Sequence, residues 1–566
     1  MKFSEYAYQR PDVDQLKVEF KALLEAFKNA SSATEQSEIL AKYYQLDDSA
    51  SAMQNICYVR HSIDTTDKFY EEEVEFFNTR YPELSEVSTD FYKALLASPF
   101  RAELEAEYGK HLFVLADLTT KVFEPAILDG IIAENKLDTE YRKIKAQAKI
   151  DFEGKTYNLS TIEPLEVSAD RNMRKKASEA KWAYYAQRAA EVEAIYDKLV
   201  KTRTESAQKL GFENFIPLGY ARMRRSDYDA QMVANFREQI VKHIVPITQK
   251  LYKSQAARLG LDSLKYYDEG YKFKSGNPTP KGNGVWMEAQ AKQMYSELSK
   301  ETEFFFNYMS DGGLMDLESK DGKETGGYCT FIGGDYQSPF IFSNFNGTSH
   351  DVTVLTHEAG HAFQCFETSR QTKINDYLWP TYEACEIHSM SMEFLTWPWM
   401  NLFFQEDTEK FFYEHLAGAL RFLPYGCAVD EFQHIVYENP NMTTTERNAA
   451  WSAIEKKYLP HRDYDGNEFL ENGGFWQKQG HIFSSPFYYI DYVLAQICAF
   501  QFWIRAKENK EEAWKDYVHL CRLGGKFSFL DLVKEANLES PFDAGCIEKI
   551  VAPIAAYLDG IDDSKF

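Results

Sequence analysis

The feature that most constrains this chain is a helical apolar period that runs through nearly all of it and lapses in only a few places. In DVDQLKVEFKALLEAFKN, residues 12–29, Leu16, Phe20, Leu23, Leu24 and Phe27 fall on one helical face. Similar patterns occupy 66–80, 84–108, 112–135, 170–211 and 228–259, and helical character resumes after residue 347 and continues to the end. No run of strands alternates with helices, which argues against a parallel α/β sheet. Two segments depart from the period. QAKIDFEGKTYN, residues 147–158, reads as a small hairpin turning at Glu153-Gly154-Lys155. GGYCTFIGGDYQSPFIFSNFNG reads as strands at 327–332 and 339–345 around a loop at Gly333-Gly334-Asp335. A Gly- and Pro-bearing stretch at 268–284 reads as a loop or hinge. At 566 residues the chain exceeds one core of ordinary domain size, so two lobes, or one large multi-lobed helical body, are expected. The expected class is mainly α with one small sheet.

Charge and cysteine usage narrow the setting. A net charge of −24 repels phosphate backbones and anionic lipid, so neither nucleic acid nor a membrane surface is an expected partner. The N-terminal MKFSEYAYQRPDVDQ lacks the apolar core of a secretory signal, and no stretch approaches 18 uninterrupted apolar residues. The eight cysteines are scattered without a CxxC pair, which suits reduced thiols in the cytoplasm. Aromatic residues reach 15%, enough ring surface to need a sizeable core or a long cleft to line.

The sheet segment leads into VLTHEAGHAF, residues 354–363. Ser349 is placed to cap a helix here, and Asp351 in its first turn suits the helix dipole. Val352, Leu355, Ala359, Ala362 and Phe366 recur at spacings of three and four as a buried stripe. His357 and His361 fall on the opposite face, about 40° apart, with Glu358 to one side. An ordinary solvated face is the plain alternative. Gly360 speaks against it, because glycine in mid-helix costs about 1 kcal/mol relative to alanine unless something packs close to the backbone. Two imidazoles at i and i+4 can bind one Zn²⁺, and the intervening glutamate can take a proton from water at an open position and give it to a leaving amine.

A catalytic zinc wants a third protein ligand. The position six residues after His361 holds Glu367 rather than a histidine, so a carboxylate from a second helix is expected. PTYEACEIHSMSMEFLTW, residues 380–397, opens with a proline and places Glu383, Glu386, Met390, Glu393 and Trp397 on one face. Helical geometry does not choose among Glu383, Glu386 and Glu393. His388 points elsewhere and reads as a surface or core histidine.

HEAGH followed by EIHSMSME resembles the thimet oligopeptidase superfamily of zinc metallopeptidases, and most closely its bacterial oligoendopeptidase F branch. The segments 203–223, RTESAQKLGFENFIPLGYARM, and 481–496, HIFSSPFYYIDYVLAQ, extend the resemblance, which covers residues 200–566; the first 200 match in helical character and length. The resemblance implies two helical lobes, an N-terminal one over 1–200 and a catalytic one over 201–566, around a deep channel that admits short peptides. It implies one Zn²⁺ held by His357, His361 and Glu386, the glutamate that opens an E-x-x-S segment ending at Ser389. It implies Glu358 as base, and His481, Tyr489 and Tyr492 as groups facing the metal from the C-terminal motif. Glu393 matches a further acid of the family and is expected to orient a ligand histidine. Tyr488 is left to the core. The strand at 339–345 is expected to offer a free sheet edge to an extended peptide. The expected activity is zinc-dependent endopeptidase action on short oligopeptides. Another HExxH-plus-Glu zinc hydrolase, such as an aminopeptidase, and a non-catalytic peptide-binding protein are the alternatives.

Overall fold

The computed structural model of the chain describes residues 1–566, the side chain of residue 564 aside. Local rules account for where the helices start and stop. The first expected helix forms as Val13–Asn29, its amide ends satisfied by the Asp12 carboxylate, which accepts from Gln15 N at 3.0 Å. The long segment at 170–211 forms one helix, Arg171–Lys209, opened by an Asp170 side chain that accepts from Asn172 N. Three other expected helices are each divided in two near a proline. Ser85–Leu96 and Arg101–Tyr108 flank Pro99, His111–Lys121 and Leu128–Ala146 flank Pro125, and Ala230–His243 and Val245–Leu259 meet just before Pro246. Proline lacks the amide that would continue the ladder and fits only the first turn of the next helix.

Seven helices position the features below: α1 (Ala33–Ile63), α2 (Leu128–Ala146), α3 (Arg171–Lys209), α4 (His350–Ser369), α5 (Tyr382–Leu395), α6 (Thr408–Glu438) and α7 (Tyr489–Glu508). The hairpin pairs β1 (Ile150–Phe152) with β2 (Lys155–Tyr157). Its two loop residues, Glu153 and Gly154, both take positive φ, 47° and 80°, as the tight primed turn requires.

A second sheet holds β3 (Met315–Glu318), β4 (Tyr328–Ile332) and β5 (Ser338–Phe345) in the order β3-β5-β4. β5 runs parallel to β3 and antiparallel to β4. The segment 339–345 is therefore the central strand, and the expected free edge is not there. β4 is the outer strand on the side of α4. Its far end is covered by α1, where Asn55 donates to the Phe331 carbonyl at 2.8 Å and Asp48 accepts from Gly334 N at 2.8 Å.

The apolar interior has two main parts. One joins residues between Val13 and Ala116 with Ile374 and Tyr377. The larger runs from Phe3 to Leu558 and takes in Ala52 and Ile56 of α1 as well as both faces of the sheet. The expected division at residue 200 falls inside the continuous α3. At 268–284 the chain is irregular, as expected, but tied: Asn277 accepts from Lys272 N at 2.7 Å and donates to the Gly270 carbonyl at 2.8 Å.

Candidate active site

β5 delivers the chain to α4 through Asn346–Ser349. Ser349 sits at the capping position with its backbone already helical, and its hydroxyl makes no cap bond. Asp351 closes the entry instead, accepting from Asn346 N at 3.1 Å and Gly347 N at 2.7 Å. Val352, Leu355, Ala359, Ala362 and Phe366 are buried as their spacing requires. The opposite face is buried too: Glu358, Gln364 and Glu367 are no more than 5% exposed and His361 9%. A polar face under protein needs partners, and α5 supplies them.

Gly360 lets α5 in. A Cβ at this position would lie 2.7 Å from the His388 carbonyl and 2.7 Å from Ser389 Cα. The two helix backbones meet here at a distance only glycine permits. Every residue of α5 from Glu383 to Leu395 is buried, three glutamates included. One of the three reaches the histidines. Glu386 Oε2 lies 3.2 Å from His357 Nε2 and 3.3 Å from His361 Nε2. These three side chains form the one group of metal-ligand atoms found among the described residues. Zinc bonds of about 2.0–2.2 Å in a tetrahedron give ligand separations of about 3.4 Å, so the donor set and its spacing fit Zn²⁺.

Neighbours fix both oxygens of Glu386. Tyr488 donates to Oε1, and Ser389 Oγ donates to Oε2 at 2.8 Å. Burial alone would raise the Glu386 carboxyl, but His361 and His357 beside it hold it well below the ordinary glutamate range. Burial would likewise lower His357, and Glu386 and Glu393 override it, holding the imidazole well above its usual value.

Behind His357 runs a chain whose proton positions are forced. The Trp397 indole, which can only donate, gives its N–H to His415 Nδ1 at 3.0 Å. His415, on α6, then carries its proton on Nε2 and donates to Glu393 Oε2 at 2.7 Å. Glu393 Oε1 accepts from His357 Nδ1 at 2.8 Å, which turns His357 Nε2 toward Glu386 as the atom that would bind a metal. His415 was not readable as a site residue: its contact joins α5 to α6 across 22 positions, and the one signal was a histidine in a chain that holds 12, whereas Trp397 already shared the face of Glu386 and Glu393.

The triad opens on a cavity of about 680 Å³, lined by His357, Glu358, His361 and Glu386 on one side and by His481, Tyr488 and Tyr492 on another. Glu358 Oε2 is buried with no partner, and burial raises its proton affinity despite the nearby histidines. The near end of β4 abuts it, since a Cβ at Gly327 would lie 3.2 Å from Glu358 Oε1. His481 Nε2 lies 3.2 Å from the Tyr492 hydroxyl. Tyr489 stands beside them, its ring centre 4.9 Å from that of His481 and 5.5 Å from that of Tyr492. It packs against Phe422 and Tyr425 and is not among the residues lining the cavity. Tyr488, expected in the core, lines the cavity and touches the Glu386 carboxylate. Tyr488 and Tyr492 are four residues apart, which places them on one face at the head of α7. His388 is a core histidine, wholly buried against Tyr517. Glu383 is buried, away from the triad, and Asp491, itself paired with Arg225 at 2.7 Å, adds to the effect of burial in pushing its carboxyl well above the ordinary range.

A largely helical body with a His-His-Glu cluster built from adjacent helices, and an unpartnered glutamate beside it, defines a class of metal-site proteins. Comparison with known proteins narrows the class. The model of peptidase family M3 matches residues 165–551, and that of the peptidase M3 N-terminal domain matches residues 3–123. The chain belongs to peptidase family M3 and is by that membership a peptidase. The solved structure of PZ peptidase A with an inhibitor is 55% identical, covers 100% of both chains and superposes with a TM-score of 0.98. A Bacillus anthracis protein assigned as an oligoendopeptidase F is 52% identical over 100% of this chain and 99% of its own, at a TM-score of 0.94. Among curated relatives, the group B oligopeptidase PepB of Streptococcus agalactiae is 22% identical over 93% of this chain and 86% of its own length. An oligoendopeptidase F homolog of Borreliella burgdorferi is 23% identical, the match spanning 56% of this chain and 55% of that protein.

Proposed function

We propose that the protein is a zinc-dependent endopeptidase that cuts internal bonds of short peptides, with His357, His361 and Glu386 as ligands and Glu358 as base. The observation that carries this reading is the meeting of three ligand atoms beside a buried carboxylate oxygen that has no other partner. Zn²⁺ held there supplies Lewis acidity toward a peptide carbonyl and toward water. The remaining work belongs to the chain. Glu358 takes a proton from the attacking water and returns it to the leaving amine, and burial raises its proton affinity, the direction a general base needs. Glu393 holds the His357 ring and its tautomer, and Tyr488 with Ser389 holds the Glu386 carboxylate.

Tyr492 is the proposed oxyanion donor, and a second chain orients it. The Tyr425 hydroxyl donates to Gln479 Oε1 at 2.8 Å, which turns the Gln479 amide nitrogen toward His481 Nδ1 at 2.7 Å. His481 then holds its proton on Nε2, facing the Tyr492 oxygen. Tyr492 accepts from His481 and keeps its own proton for the side where Tyr488 and the triad lie. Burial lowers His481 to about 4, so it stays neutral in that role near pH 7. Tyr489 contributes packing rather than a hydroxyl.

An extended peptide is proposed to lie along the cavity end of β4, at 326–329, adding main-chain bonds of broad specificity. An aminopeptidase would want an unpaired acid for the free amine. Asp138 and Glu324, which line the same cavity, are both ion-paired to Arg142 at 2.8 Å. Cytoplasmic residence belongs to the same reading: all eight thiols are free, and no helix is long and apolar enough to cross a membrane. Mass spectrometry of a mixture of peptides blocked at both ends, incubated with and without chelator, tests the proposal. Internal cuts that chelator abolishes are expected; zinc-loaded protein that binds such peptides and leaves them whole would overturn it.

A further inference from the structure

The cavity that holds the triad has a cationic corner that the reading above leaves unused. Lys145, at the end of α2, and Lys478, just before His481 in the chain, both line it. Neither ammonium has an acidic partner within ion-pair distance among the described residues. Lys145 Nζ reaches the Lys478 carbonyl at 3.4 Å and lies 5.7 Å from the Tyr141 ring centre, and Lys478 Nζ lies 4.3 Å from the centre of the Phe475 ring. The nearby acids are engaged elsewhere: Glu324 with Arg142, and Glu163 and Glu166 with Lys181. In a chain with 87 acidic residues and a net charge of −24, two half-buried lysines left without one are an exception that calls for a ligand. The corner adjoins the chemistry. A Cβ on Gly480 would lie 3.6 Å from Lys145 Nζ, and the next residue is His481, whose ring touches both Tyr488 and Tyr492.

We propose that Lys145 and Lys478 form a subsite that binds a carboxylate of the peptide substrate, either its free C-terminus or an aspartate or glutamate side chain. Burial, with Arg142 near one and Lys181 and Arg462 near the other, pulls Lys145 down to about 8 and Lys478 down to about 7. An arriving carboxylate supplies the missing counter-charge and favours the protonated form of both lysines, making charge-assisted bonds in a place where water is scarce.

The subsite rests on the peptidase reading for its substrate class, and binding separates the two. In Glu358→Gln protein, affinity is measured by fluorescence anisotropy for one peptide as free acid and as C-terminal amide, and for amidated peptides carrying glutamate or glutamine at successive positions. At least one carboxylate form is expected to bind at least tenfold more tightly than its neutral twin. Lys145→Met and Lys478→Met keep the aliphatic stems and are expected to bring that ratio below threefold, whereas Lys478→Arg keeps it. A preference for the free acid assigns the chain terminus, and a preference confined to one glutamate position assigns a side chain. Equal affinity in both series would overturn the subsite, as would a preference that survives in both methionine variants at an unchanged thermal midpoint. Zinc-loaded wild-type protein that fails to cut any peptide sinks the catalytic reading and leaves these ratios as they are.

Discussion

Gly360→Ala separates helix propensity from site geometry, because the two predict opposite signs. Propensity alone makes alanine in mid-helix better by about 1 kcal/mol. The structure says otherwise. The new Cβ would meet the His388 carbonyl and Ser389 Cα at 2.7 Å and Met392 Cβ at 3.0 Å, where ordinary contact begins at 3.4 Å. Two of these neighbours are backbone atoms of a buried helix and cannot swing aside. α5 must therefore retreat from α4 by several tenths of an ångström, against an overpacking cost of about 1–3 kcal/mol. The retreat carries Glu386 with it, since that residue sits one turn before Ser389, and widens the 3.2 and 3.3 Å separations at the ligand position. The expected outcome is a lower thermal midpoint together with zinc affinity reduced by about 10- to 100-fold, the range typical of lost ligand support. Calorimetry and chelator competition on purified protein read the two effects independently. A variant that is more stable than wild type and binds zinc equally well would refute the claim that this glycine sets the helix separation.

Four further outcomes are expected. Glu358→Gln should keep zinc and lose turnover by about 10²–10⁴-fold, the usual worth of a general base; metal analysis beside a peptide assay checks both halves, and retained turnover removes Glu358 from the role. Glu386→Ala should release zinc far more readily than Glu383→Ala, because only Glu386 faces both imidazoles; equal loss would undo the ligand assignment. Tyr492→Phe should lower kcat more than it raises KM, and the reverse split would make Tyr492 a substrate-binding group. Asp351 is pushed by burial from 3.8 up to about 6, with the Asn346 and Gly347 amides pulling the other way. A carboxyl raised in the folded chain gives stability that is full below its unfolded pKa and is lost as pH rises through the folded one. Asp351→Asn keeps an oxygen for those amides, so its stability relative to wild type should climb by at most about 3 kcal/mol between pH 4 and 6 and level off above; urea unfolding across that range would show a flat difference if the reasoning fails.

What the sequence disclosed and what it hid follow from the range of the interactions involved. Helix period and the hairpin turn at Glu153-Gly154 are local, and they were legible; the cap expected at Ser349 was not found, because Asp351 closes that entry instead. The proline breaks at Pro99, Pro125 and Pro246 were legible in principle, since each proline stands inside a period that otherwise continues. The order of the larger sheet was hidden because β3 is only the four residues MDLE, of which Leu317 alone is buried. Without β3, the pair at 327–332 and 339–345 looks like a lone hairpin with a free strand on either side. The place of Tyr488 was hidden for a related reason. A spacing of three, taken from the resemblance, favoured Tyr489 with Tyr492. The helix begins at Tyr489, and the residue just before it, Tyr488, reaches back to Glu386 from the capping position.

The hidden parts share a logic that no single motif could carry. The wall behind His357 ends in a group whose donor sense is fixed and propagates inward, and on the facing wall the sense follows from the bond that the Tyr425 hydroxyl gives Gln479 Oε1. On one wall the Trp397 indole can only donate, so His415 and Glu393 have one arrangement of protons, and His357 Nδ1 is held by Glu393 so that Nε2 faces the ligand position. On the other, Tyr425 and Gln479 set His481, and His481 sets the Tyr492 proton. A metal ligand must arrive with a lone pair and an oxyanion donor with a proton, so the two walls need opposite polarity at their inner ends. Local sequence gives the inner residues, because helix spacing and a catalytic motif mark them. The outer residues that choose the polarity lie on other helices, and only the packing of α5 against α6, and of α6 and the segment before His481 around α7, brings them into line.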